Sequence, residues 1–330
     1  MIAGSMQDFR AAMLAALGEA PELIEPGRLH RFSTNGKRGD TSGWCQLFED
    51  GRAGVYGDFR SGMSSVWTAQ RRDLMTPTQR AALAHKAAQA KAQRDADKAS
   101  GWKVAATRLA ALWNDSKPVM ADGTGTDPVT LYLRHRLALD PGDTLVVPSV
   151  LRLHPGLPYH HDGVAVGRWP AMVATLQAPS GELVALHRTW LAPEGRKAPT
   201  PGPCKKLTQA AGPVMTGCIR LAWPGHGASD MLGIAEGLET ALAARQASGV
   251  PTVAAYSAGA LAAWQWPTGV KRIVVFADAD PPGAEAADKL RQRARTAGLS
   301  VNVMTPTTPD ADWCDVWAKR GAAGAVEVRA

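Results

Sequence analysis

Cysteine is scarce in this chain, and so are the features that would anchor or export it. Four cysteines occur in 330 residues, Cys45, Cys204, Cys218 and Cys314, and no two of them form a C-x-x-C pair. That spacing argues against a zinc ribbon, and so few thiols in so long a chain argue against a disulfide framework, so no zinc is expected. No stretch reaches the roughly 18 uninterrupted apolar residues of a membrane span. The opening MIAGSMQDFRAAML has no basic run followed by a long apolar segment, so it does not read as a secretory signal. The expected location is the cytoplasm, with no membrane partner. A G-x-x-x-x-G-K-[ST] run is also missing, so any helicase function is expected to belong to another protein.

What is present is ordinary for a soluble globular chain. Hydrophobic residues make up 45% and charged residues 20%, enough for one large or two to three small domains. Lysine and arginine number 37 against 30 acidic residues, a net charge of +7. That excess is compatible with a polyanionic partner such as nucleic acid and does not by itself require one.

The texture changes along the chain. Residues 6–18 form a short amphipathic helix. Residues 28–70 predict a small antiparallel sheet, with strands at Leu29–Ser33, Trp44–Glu49, Gly54–Asp58 and Ser65–Trp67 between glycine-containing turns. Trp44 and Trp67 are expected in its core rather than as platforms for bases. Residues 76–116 are rich in Ala, Lys and Arg, with Pro77 at a helix start, and predict one long helix or two broken near Gly101. Lys86, Lys91, Arg94, Lys98 and Lys103 along it read as a solvated face or as a phosphate-contacting stripe. Residues 122–126 form a linker, and the segment containing YLRHR forms a short helix. Residues 146–222 are mostly β, with His154, His160 and His161 expected in a Pro/Gly loop and His226 in another. From Asp230 onward four strands alternate with three helices, which predicts a parallel sheet covered on both faces. The resulting division is a β-rich domain over 1–75, a helical linker over 76–127, a basic α+β subdomain over 128–228 and an α/β domain over 229–330.

Open parallel sheets bind ligands at the carboxyl ends of their strands. Glu236 ends the first C-terminal strand, in IAEGLETA; Asp278 and Asp280 end the third, in VVFADADPPG. Taken singly, Glu236 reads as a helix N-terminal acid and the aspartates as a turn. Taken together, followed by Gly283, they place three carboxylates on one rim, with alternate residues of D-x-D facing the same way. Their repulsion is relieved by a hard divalent cation with oxygen ligands, such as Mg²⁺.

In this pattern residues 230–318 resemble a Toprim domain, the metal-dependent module of bacterial primases, type IA and II topoisomerases and some nucleases. The resemblance implies that Glu236, Asp278 and Asp280 are metal ligands and catalytic residues for Mg²⁺ or Mn²⁺, with Asp312 and Asp315 of DADWCDVW as secondary ligands. It further implies a part for Glu236 in deprotonating a 3′-hydroxyl, which the residues alone do not separate from a ligand role. Ser257 and Gly259 of AYSAGAL stand near the Gly-Thr element of the primases. Upstream, residues 28–67 and 129–222 resemble the companion regions of Toprim-containing primase proteins of phages, plasmids and integrative elements, and PAMVATLQAPSGELVALHRTWLAPEGRKA and CKKLTQAAGPV are similar to the basic subdomain that precedes Toprim in bacterial primases. Arg188, in His187-Arg188-Thr189 where that family has Gly-Arg, stands with Lys197, Lys205 and Lys206 where it has its basic cluster. The implied activity is primer synthesis from nucleoside triphosphates on a single-stranded DNA template, with a separate helicase as a possible partner. The alternatives are a Toprim nuclease and a non-catalytic nucleic-acid-binding protein. A topoisomerase ranks lower: it needs a catalytic tyrosine and large gate domains, and the chain offers only Tyr56, Tyr132, Tyr159 and Tyr256.

Overall fold

A computed structural model describes residues 2–36, 40–58, 63–70, 75–223, 230–319 and 328–329. His226 lies outside the described residues. The chain divides into two compact units, residues 1–99 and 100–330.

In the first unit, α1 (Ile2–Leu17) precedes a four-stranded antiparallel sheet of β1 (His30–Phe32), β2 (Gly43–Leu47), β3 (Ala53–Asp58) and β4 (Met63–Thr68), paired in that order. Phe9 and Met13, four residues apart on one face of α1, are fully buried with Cys45, Leu47 and Tyr56. The Phe9 ring sits 5.2 Å from that of Trp67. Gly54 permits this approach, since a Cβ there would lie 2.9 Å from the Phe9 ring. Trp44 is buried with Val55, Phe48 and Leu83. Both tryptophans therefore serve the core.

The helical segment is one 38-residue helix, α2 (Pro77–Asn114), continuous through Gly101. Within the first unit its cations have local partners: Lys86 pairs with Asp50, Lys91 with Asp95 at 3.8 Å, and Arg94 lies over the Trp44 ring at 4.8 Å.

The second unit is built on an 11-stranded sheet. Its upstream part contains β5 (Lys117–Pro118), α3 (Pro128–Arg136), β6 (Leu151–His161), β7 (Val164–Gln177), β8 (Leu183–Trp190), β9 (Lys205–Leu207) and β10 (Cys218–Ile219). Asp127 caps α3, accepting from the amides of Val129 and Thr130, and Pro128 occupies the first helical position. The segment read as a Pro/Gly loop around His154, His160 and His161 is instead strand β6. A register shift between His154 and Leu157 absorbs Pro155 and Gly156, which is how a strand tolerates such residues.

The downstream part runs β11 (Met231–Ala235), α4 (Leu238–Ser248), β12 (Thr252–Ala254), α5 (Ala258–Ala263), β13 (Arg272–Phe276), α6 (Pro281–Thr296), β14 (Ser300–Pro306), α7 (Trp313–Ala318) and β15 (Val328–Arg329). Strands β12, β11, β13 and β14 are adjacent in that order and mutually parallel. Alternation divides their side chains between two cores. Leu232, Ile234, Ile273 and Val275 pack with Leu261 of α5 and Leu290 of α6. Ala235, Val274 and Phe276 pack with Leu242 of α4 and Trp313 of α7, in a core that continues into Tyr132, Met172 and Leu176 upstream. The short β10 pairs antiparallel with both β7 and β12 and joins the two parts of the sheet.

Candidate functional site

Strands β11 and β13 are neighbours in parallel, and Ala235 is in register with Phe276. The residues that follow, Glu236 on one and Asp278 and Asp280 on the other, therefore leave the sheet along the same edge. Each turn into the next helix is specified locally. Asp280 is the N-cap of α6: its Oδ1 accepts from the Gly283 amide at 2.7 Å, ahead of Pro281 and Pro282. Gly283 is needed for this close turn, because a Cβ there would lie 2.9 Å from both the Asp278 carbonyl oxygen and Asp280 Oδ1. Asp312 and Asp315 form a reciprocal capping box at the start of α7. Trp313 anchors that helix edge-on against Phe276, with ring centroids 5.1 Å apart.

The electrostatics of this rim are one-sided. Burial, followed by the charges of Glu236, Asp312, Asp280 and Asp315, pushes the Asp278 carboxyl up to about 7. All four of these charges are negative. Its Oδ1 is buried and accepts no hydrogen bond. Glu236 is also raised, by burial and then by Asp280, against a lowering hydrogen bond from the Ala258 amide at the start of α5.

Among the described residues, no group of three or more His, Cys, Asp or Glu side chains is placed to hold a metal ion by itself. Asp280, Asp312 and Asp315 each turn one carboxylate oxygen toward a backbone amide. A shell built from one or two carboxylates and completed by water or phosphate is the form Mg²⁺ ordinarily takes. The uncapped Asp278 oxygen beside Glu236 fits that form.

The basic candidates divide between the two faces of the sheet. On β9, Lys205 and Lys206 alternate. Lys205 Nζ donates to Glu239 Oε2 at 2.6 Å. Lys206 Nζ donates to the His160 carbonyl and lies 3.8 Å from the Tyr159 ring centroid. Arg188, in register with Lys206, donates to the Leu207 carbonyl and covers the Trp190 ring at 4.9 Å. Lys197 is exposed and forms an isolated antiparallel bridge with Leu191. Ser257 caps the six-residue α5 through the Ala260 amide, and Gly259 is exposed on that helix.

Sequence reasoning missed a buried polar cluster just behind the rim. Glu239, in the first turn of α4, is 2% exposed. It accepts from Lys205 and, at 2.7 Å, from the Tyr132 hydroxyl of α3. Burial would raise its carboxyl, but Lys205 and Tyr132 hold it at about 2. His187 lies close enough to feel Glu239, and burial lowers its ring to about 4. Arg136, one turn beyond Tyr132, reaches Asp312 Oδ2 at 3.4 Å. The available signal was a lone glutamate inside the apolar run LETALAA, which calls for a buried partner.

Residues 231–323 match the family described as Toprim domain, and residues 103–220 match a domain of unknown function, DUF7146. No curated protein sequence matches the chain. Solved structures similar to it include the primase fragment of the bacteriophage T7 primase-helicase protein, at 15% identity over 61% of this chain and 74% of that one, TM-score 0.35. A DNA primase domain from Pseudomonas aeruginosa is 16% identical over 52% of this chain and 53% of its own, TM-score 0.35. The zinc-binding and RNA polymerase domains of the Aquifex aeolicus primase are 13% identical over 98% of this chain and 86% of theirs, TM-score 0.39. The parallel order β12-β11-β13-β14 and the family match over the same segment lead to one conclusion: residues 231–323 are a Toprim domain.

Proposed function

We propose that the Toprim rim is a divalent-metal-dependent nucleotidyltransferase site and that the chain makes short primers on single-stranded DNA from nucleoside triphosphates. The observation that carries this reading is the state of Asp278: half-buried, surrounded by four other carboxylates, with one oxygen lacking any donor. When ionised, such a group is relieved by a cation. Glu236, Asp278 and Asp280 would hold Mg²⁺ or Mn²⁺, with Asp312 and Asp315 as secondary ligands. When bound, the ion supplies charge neutralisation and alignment of the phosphate oxygens.

The chain's own groups divide the remaining work. Glu236, its affinity for protons raised by burial, takes up the proton of the attacking 3′-hydroxyl at a carboxylate oxygen. Lys205 meets the triphosphate as a point charge. Arg188 and Lys206, on the other face of the sheet, and the exposed Lys197 serve the template backbone. Ser257 and Gly259 border the rim at the start of α5.

The test is incubation of the full chain with single-stranded DNA, labelled nucleotides and Mg²⁺ or Mn²⁺. Extended products are expected, and Asp278→Asn and Glu236→Gln should abolish them with circular dichroism unchanged. Products persisting in both variants would overturn the assignment. A shortened template would identify a nuclease, and a mobility shift alone a binder.

A further inference from the structure

Glu239 sits only three residues after Glu236, yet it faces away from solvent. Both of its oxygens are used: Oε1 accepts from the Tyr132 hydroxyl and Oε2 from Lys205 Nζ. Its side chain is 3% exposed, whereas that of Lys205 is 35% exposed. The ammonium has three donors and Glu239 takes one, which leaves two for other acceptors. The pair also lies near the rim. Helix α3 ties it there: Tyr132 meets Glu239, and Arg136, four residues further on, reaches Asp312 Oδ2 at 3.4 Å.

A buried ion pair is a poor way to gain stability, since well-packed apolar residues of the same volume commonly serve as well or better. What it supplies is direction. A lysine head on a four-carbon stem is otherwise free to rotate, and fixing it beforehand removes an ordering cost from ligand binding. We propose that Glu239 is a positioning residue, which fixes the Lys205 ammonium beside the carboxylate rim so that it is in place for the polyphosphate of an incoming nucleotide. This rests on the reading of the rim as a metal-dependent nucleotide site.

The sign of one measurement distinguishes positioning from simple charge. Neutralising a carboxylate near the site strengthens binding of a polyanion by Coulomb's law alone. Positioning gives the opposite sign. The experiment uses the full chain and measures ATP binding in Mg²⁺ by calorimetry and Mn²⁺ binding by electron paramagnetic resonance. Glu239→Gln should weaken ATP by about tenfold, or about 1.4 kcal/mol, and leave Mn²⁺ affinity unchanged. Glu239→Asp keeps the charge, draws the ammonium back by one methylene, and should weaken ATP by a smaller factor; it remains informative if the Gln variant fails to fold. Tyr132→Phe removes the other bond to the same carboxylate and should lower the Tm with ATP affinity retained.

Tighter or unchanged ATP binding in the Glu239 variants, with Mn²⁺ still bound, overturns the positioning role alone. An equal loss in Tyr132→Phe also overturns it, by showing that the cluster is only a brace. A native chain that binds no Mn²⁺ overturns the metal-site reading, and the positioning role with it.

Discussion

Glu236 and Glu239 are the same side chain, placed three residues apart where β11 turns into α4, yet they are held in opposite states. Glu236 is half-buried among other carboxylates and its affinity for protons is raised. Glu239 is fully buried and held ionised, its carboxyl at about 2. Burial raises both carboxyls, and the partners decide whether that rise stands. Lys205 and Tyr132 satisfy Glu239 from within the fold, so its charge is part of the architecture. Glu236 and Asp278 face like charges, with the Ala258 amide as a partial offset at Glu236, so a cation brought to them would relieve both.

The strongest way to break this contrast is to remove a cation from one region and an anion from the other. Lys205→Met leaves Glu239 buried without its countercharge. Loss of one partner of a buried pair is costly, and because Lys205 is about one-third exposed the expected loss is toward the low end, about 2–3 kcal/mol. Asp278→Asn relieves repulsion and should leave stability unchanged or raised. Urea denaturation of both variants measures this, and a shift of the same sign in the two would end the distinction.

Acid and alkali should separate the regions next. Asp278 is raised from 3.8 to about 7, so the folded state binds its proton more tightly than the unfolded chain does. The stability it contributes is complete below the unfolded value and is lost as pH rises from about 4 through 7. His187 is lowered from 6.5 to about 4. Its contribution is complete above 6.5 and is lost as pH falls through 4, and Glu239 behaves likewise between 4.5 and about 2. Melting curves should thus show the native chain losing ground against Asp278→Asn between pH 4 and 7. Mg²⁺ should restore it, with release of a proton on binding. A pH-independent difference between the two chains would contradict the shift at Asp278.

The rim was legible in the sequence because its information is local. Apolar runs such as RIVVF ending in acids, with alternation into two cores, specify strand, edge and facing from a few adjacent residues. The antiparallel sheet of the first unit was legible for the same reason. The cluster behind the rim was not. Tyr132 and Glu239 are 107 residues apart and Lys205 and Glu239 are 34 apart, so no spacing rule connects them. Local signals also misled at β6, where Pro155 and Gly156 resemble a loop but a bulge takes them up within a paired strand. At Gly101 a weak helix former left one helix or two open. The cost of a single glycine, about 1 kcal/mol, does not interrupt a helix this long.

The finest test concerns Asp312, which belongs to both regions: it caps α7, it touches Arg136, and its charge acts on Asp278. Asparagine caps a helix about as well as aspartate, whereas alanine does not. Asp312→Asn should therefore keep stability within about 0.5 kcal/mol, and Asp312→Ala should lose about 1 kcal/mol. Both variants remove one negative charge from the surroundings of Asp278, so both should lower its titration midpoint, followed by carbon NMR of the carboxyl groups. A midpoint that moves in the alanine variant but not in the asparagine one would mean that the position of α7, rather than the charge of its cap, sets the state of Asp278.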